Sequence, residues 1–174
     1  MSRTSRKART AVALLLLVAC NDRPPQQAHT SQPSAGSSDS VFALVQSRGH
    51  TAMGVDQYTS THRFEPLPDG GRITLVRDQS DPAGVAQIRA HMTKIAAAFR
   101  RGDFTIPGFV HDRAVPGTDV MAARQSDIRY FTDTVPLGGS LRLQSTDTAV
   151  VAAIHQFLAF QRHDHRSPNV DTAR

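Results

Sequence analysis

The chain has 174 residues, 39% hydrophobic, 20% charged and 6% aromatic, with no Trp and a single Cys. That length suits one domain of ordinary size, and the composition excludes a polytopic membrane protein, a collagen and a disulfide scaffold. The formal charge of +5 points to nucleic acid only until it is located. Arg3, Arg6, Lys7 and Arg9 all precede the first acid, Asp22, and the rest of the chain is close to neutral. Basic and aromatic residues are not interleaved, so no nucleic-acid partner is expected.

Residues 1–19 read as a signal peptide. A cationic start precedes an apolar run from Ala11 to Ala19, too short for the roughly 20 residues of a spanning helix and right for a secretory signal core. The run ends in Leu17-Val18-Ala19-Cys20, which resembles the lipobox of bacterial lipoproteins. That resemblance implies that Cys20 is acylated on its thiol and becomes the first residue of the mature protein. The chain would then be held to the membrane through its N-terminal lipid, facing the periplasm or the cell exterior. The other readings are an ordinary secretory signal and a short buried helix that contains a cysteine. If its one thiol is lipidated, the chain has no disulfide, Cys nucleophile or Cys metal ligand.

From residue 20 to 40 the chain is rich in Pro, Ser and Gln, which predicts a disordered tether, since such a stretch buries too little to offset ordering. A single globular domain is expected over 41–166 and a disordered tail over 167–174. An edge strand is expected around Phe42 to Gln46. Two segments then echo each other, His62–Met92 and Ile128–Leu158. Each holds a strand, a Gly-Gly pair (Gly70-Gly71 and Gly138-Gly139), a second strand, and an Asp opening an amphipathic helix. The glycines are read as supplying the positive φ of tight hairpins. Alternation at Ile73 and Leu75, and again at Leu141 and Leu143, predicts one buried and one wet sheet face.

The helices are marked more strongly. Asp81-Pro82 places a capping carboxylate before a proline suited to the first turn. Val85, Ile88, Met92, Ile95 and Phe99 follow at three- and four-residue steps, and Gly102 stops the run. The second helix opens at Thr146 or Asp147 and turns Val150, Val151, Ile154, Phe157 and Leu158 inward. Between the units, Gly102–Ser126 is a long connection with turns at Pro107-Gly108 and Pro116-Gly117 and a short helix over 119–124. The fold class expected is α+β: two ββα units forming one antiparallel sheet with helices packed on one face.

The chain lacks a P-loop, a dinucleotide fingerprint, a His-Glu-x-x-His and a Gly-x-Ser-x-Gly elbow. Glu65 is its one glutamate, so a Glu pair for glycoside chemistry is unavailable. Eight histidines are the unusual feature. His91 and His155 flank the apolar stripes of the two helices, His111 lies in the long connection, and His163-Asp164-His165 closes the second helix. His91, His111, His155, Asp164 and His165 form a candidate set for Zn²⁺ or Cu²⁺ if the fold gathers them; individually, each histidine also suits a structural role. Arg101, Arg129 and Arg142 are read as an anion-binding edge or as a solvated face. Three functions stay open: a non-catalytic envelope module binding a small ligand or an envelope protein, a histidine-based periplasmic metal-binding protein, and an enzyme built around His111.

A second likeness rests on His91, Gly102-Asp103-Phe104, Pro107, His111, Pro116-Gly117, Met121, Ile128-Arg129-Tyr130, Gly138-Gly139 and the run Ala153–Gln161 through Asp164-His165. Over about 88–166 the chain resembles a group of short exported bacterial proteins without an assigned activity, some of them labelled aspartate carbamoyltransferase. That enzyme family uses two α/β domains and a Ser-Thr-Arg-Thr phosphate loop. The nearest string here, Ser2-Arg3-Thr4, lies in the signal segment, so no carbamoyl phosphate site is expected.

Overall fold

The structure, a computed structural model, describes residues 35–168. The signal segment, Cys20, the tether before residue 35 and the tail beyond 168 lie outside the described residues. Within them the chain forms α1 (Ala35–Met53), β1 (Ser60–Leu67), β2 (Gly70–Arg77), α2 (Pro82–Phe99), α3 (Thr105–His111), α4 (Thr118–Ala123), β3 (Arg129–Val135), β4 (Gly138–Gln144) and α5 (Thr148–Asp164). The four strands make one antiparallel sheet in the order β1-β2-β4-β3. This is the α+β arrangement of two ββα units with one covered face.

The hairpins meet at β2 and β4, where Ile73 faces Leu141 and Gly71 faces Leu143. Each helix then packs chiefly on the hairpin of the other unit: α2 on β4 and β3, α5 on β1 and β2. The units therefore interlock, and their shared core holds Phe64, Ile73, Leu75, Ile88, Met92, Phe99, Leu141, Leu143, Ile154 and Phe157. Side chains from the helices also close the sheet edges. Arg162 and His155 donate to the Phe64 and Leu67 carbonyls of β1 at 3.0 and 2.9 Å. Arg100 donates to the Tyr130 carbonyl of β3.

Both main helices begin where their caps predict. Asp81 accepts from the Gly84 amide at 3.0 Å, with Pro82 in the first turn. Asp147 accepts from the Ala149 and Val150 amides at 2.8 and 3.1 Å. Val85 and Val151 are only half-buried, so the inward stripes are narrower than their periodicity implies.

Four expectations are corrected. Phe42–Gln46 is helical, within α1. Its apolar run has strand composition, yet the buried positions Val45, Gln46 and Gly49 recur at helical steps. That helix also takes in residues 35–40, so the folded part begins before residue 41. Pro107-Gly108 is no turn but sits inside α3, because a proline in a first helical turn gives up only an N–H that lacks an intrahelical partner anyway. The hairpin glycines also act differently. Only Gly70 has positive φ, 140°, while in the second hairpin the positive φ of 59° falls on Leu137. Gly71 and Gly138 are glycine because a Cβ would run into the Leu158 side chain and the Leu75 carbonyl. They buy close approach rather than a turn.

Candidate functional site

Residues from α1, β1, β2, α2, α3 and α5 line a cavity of about 60 Å³. Its walls are mainly apolar, from Phe64, Ile73, Met92, Ile95, Phe99, Ile106, Val110 and Phe157. Four histidines also line it: His62 from β1, His91 from α2, His111 from the end of α3 and His165 just past α5. Three rings are contiguous, His165 lying 4.6 Å from His62 and 5.1 Å from His111 between centroids.

Burial sets the protonation of this group. His62 is pushed down to about 3, by desolvation first and then by His91 and His111. Desolvation and the nearby Lys94 charge push His91 to about 4, against the opposing effect of the Ala52 carbonyl. His165 falls well below the ordinary histidine value, again by desolvation first, then His62 and His111. All three are thus neutral at pH 7, each with one N–H and one lone pair. Nδ1 of His91 and Nδ1 of His165 are buried without a hydrogen-bond partner. His91 is 8% exposed, so its unsatisfied nitrogen has a real cost unless something in the cavity meets it.

His111 is held differently. Its Nδ1 lies 2.9 Å from Asp164 Oδ2, and its Nε2 lies 3.0 Å from the side-chain oxygen of Gln161. The two ends of a Gln amide exchange by a half-turn, so Gln161 can donate to this ring nitrogen or accept from it. Asp164 also accepts from Arg113 at 2.6 Å and pairs with His163 at 3.1 Å. Burial raises the Asp164 carboxyl, but the hydrogen bonds from His163, Arg113 and His111 outweigh it and hold it below the usual Asp value. His111 and Gln161 line the cavity, and Asp164 lies behind His111.

Of the residues singled out from sequence, the fold gathers His91, His111 and His165 in the cavity and sets Asp164 behind His111. His165 is a cavity wall rather than a frayed end. His155 stands apart, donating to the Leu67 carbonyl on the β1 edge. Arg142 is engaged by Asp69 and the Gly71 carbonyl, and Arg101 by the Ala97 carbonyl. Sequence reasoning missed His62, Met53 and Met92 as site residues. His62 shares the inward face of β1 with Phe64, an alternation visible in the sequence once that strand is taken as half-buried. Among the described residues no three His, Cys, Asp or Glu are arranged to hold a metal ion, and no helix is long and apolar enough to cross a membrane.

No family model, curated protein or solved structure matches this chain.

Proposed function

We propose that the chain is a lipid-anchored binding module of the bacterial envelope, facing the periplasm or the cell exterior, whose small ligand occupies the histidine-lined cavity. The lipobox-like Leu17-Val18-Ala19-Cys20 supports the anchor. One observation carries the binding reading: a buried, neutral His91 whose Nδ1 has no partner in the protein, on the wall of an otherwise apolar cavity. Natural interiors rarely leave such an atom unsatisfied, and apolar clefts with a few convergent polar groups are the usual form of small-ligand sites. The ligand fitting this wall uses imidazole lone pairs and has little other polarity.

The test is to isolate the chain from native envelope membranes and identify what is bound, by mass spectrometry and elemental analysis. A stoichiometric species present in the natural chain and lost in His91→Phe, which fills the cavity and removes the nitrogen, is the expected result. An empty natural chain that also takes up no added small molecule or metal would overturn the reading.

A further inference from the structure

We infer that β3 is a pairing edge for a second copy of this chain. Two β3 strands meet antiparallel across a two-fold axis at Phe131 and join their four-stranded sheets into one. This surface is separate from the cavity and does not depend on what the cavity binds.

The two edges of the sheet are finished differently. On β1, Arg162 and His155 take the Phe64 and Leu67 carbonyls, and Pro66 has no N–H to offer. On β3, the hairpin closes through Val135 and Gly138 across two residues. Val135 therefore turns its backbone groups toward β4, and by alternation Tyr130, Thr132 and Thr134 turn theirs outward. Arg100 takes one lone pair of the Tyr130 carbonyl, and the Asp133 carboxylate takes the Thr134 amide. Thr132, at the middle of the strand, has no side-chain partner for its N–H or carbonyl among the described residues. An open stretch of this kind is a template for another strand.

The side chains select the partner. Tyr130 points into the core at 4% exposure, so Arg129, Phe131 and Asp133 share the opposite face, where Phe131 is 50% exposed. Among the described residues neither Arg129 nor Asp133 enters an ion pair. Four residues of extended strand, roughly 13 Å, keep them from pairing with each other. A second β3 centred on Phe131 satisfies both. It sets Arg129 opposite Asp133 of the second copy, Asp133 opposite its Arg129, and Phe131 opposite itself. Tyr130 then faces Thr132 of the second copy, and these two exchange the backbone hydrogen bonds. The charged and aromatic pairs fall at the non-hydrogen-bonded positions, where facing side chains lie closest. A shift of two residues would set Phe131 against Asp133 and leave Arg129 without a partner, so the pattern specifies one register.

The experiment uses the full chain with Cys20→Ser, so that an introduced cysteine is the only thiol. Phe131→Cys is expected to give a disulfide-linked dimer on mild oxidation, because facing residues at the centre lie within reach of a sulfur–sulfur bond. Val135→Cys, on the same face but away from the centre, is expected to give none. In sedimentation equilibrium the chain without an added cysteine should dimerise reversibly. Arg129→Asp or Asp133→Arg should each weaken the dimer by roughly tenfold or more, and the two together should restore it by exchanging the charges of both pairs. Unchanged urea midpoints of the dilute variants would show that their fold is intact. A chain monomeric at every concentration overturns the inference. So does a dimer that persists in both single charge variants, or one that cross-links equally at both cysteine positions.

Discussion

His111 Nδ1 and Asp164 Oδ2 lie 2.9 Å apart, joining the end of a seven-residue helix in the long connection to the last turn of α5. The His111 side chain is fully buried and that of Asp164 is 6% exposed, while Arg113, on the same carboxylate oxygen, is half in solvent. The pair ties α3 over the cavity. Replacing Asp164 by Ala leaves a buried imidazole nitrogen without its acceptor, and should cost about 2–3 kcal/mol, toward the low end for a broken buried pair because Arg113 remains solvated. Urea unfolding measures this. An Asp164→Ala chain as stable as the original would show that α3 is held by its apolar contacts alone.

Acid should loosen the same region. His91 is depressed to about 4 in the folded chain against an ordinary 6.5. Between those values the unfolded chain binds the additional proton, so stability rises with pH and levels off above about 6.5. As pH falls through the window, each such histidine removes up to about 1.4 kcal/mol per pH unit. His62, depressed to about 3, acts in the same direction. The Asp164 carboxyl is also depressed, so its contribution is present above the ordinary Asp value and is lost only below this window. Unfolding midpoints at pH 7, 6 and 5 should fall in order, and His91→Phe should flatten the decline. Equal midpoints at pH 7 and 5 would contradict a neutral buried His91.

The aromatic contact between the units should dominate core stability. Phe99 packs on Phe104, Phe157 and Tyr130, with ring centroids 4.4, 5.9 and 6.1 Å away. Phe99→Ala should cost about 3–5 kcal/mol, since a buried ring at the junction of both helices leaves a void that neither can close. The cap at Asp81 makes a milder comparison. Asp81→Ala loses the bond to the Gly84 amide and should cost about 1 kcal/mol. Thermal or urea unfolding separates the two; similar losses would mean that α2 does not bridge the units as described.

The anchor has its own test. Cys20→Ser should move the chain from the membrane to the soluble or unprocessed fraction, and mass spectrometry of the native protein should find an acylated Cys20 at the N-terminus. An intact Met1 without lipid would refute the anchor. It would leave the cavity untouched.

Much of the fold was legible because it is locally encoded. Asp81 and Asp147 announce their helices by a cap geometry that spans three residues, and the alternation at Ile73, Leu75, Leu141 and Leu143 needs only the two-residue period of a strand. Where local signals conflict, the reading fails. The Phe42–Gln46 run has the composition of a strand, but burial at Val45, Gln46 and Gly49 recurs at the steps of a helix. Pro107-Gly108 has the composition of a turn, but its proline falls in the first turn of α3, where it is tolerated. The Gly-Gly pairs were visible; their reason was not, because the clashing Leu158 and Leu75 are distant in sequence.

The sequence by itself determined the ββα–ββα order, the starts of the two main helices and the near-neutral charge of the chain after Arg9, since each depends on neighbouring residues. Only the tertiary structure decided that His62, His91, His111 and His165 surround one cavity while His155 serves a strand edge. Each helix packs on the hairpin of the other unit, and that crossing depends on long-range packing of both halves rather than on any local pattern. It brings a strand histidine, a helix histidine and a C-terminal histidine together beside two methionines.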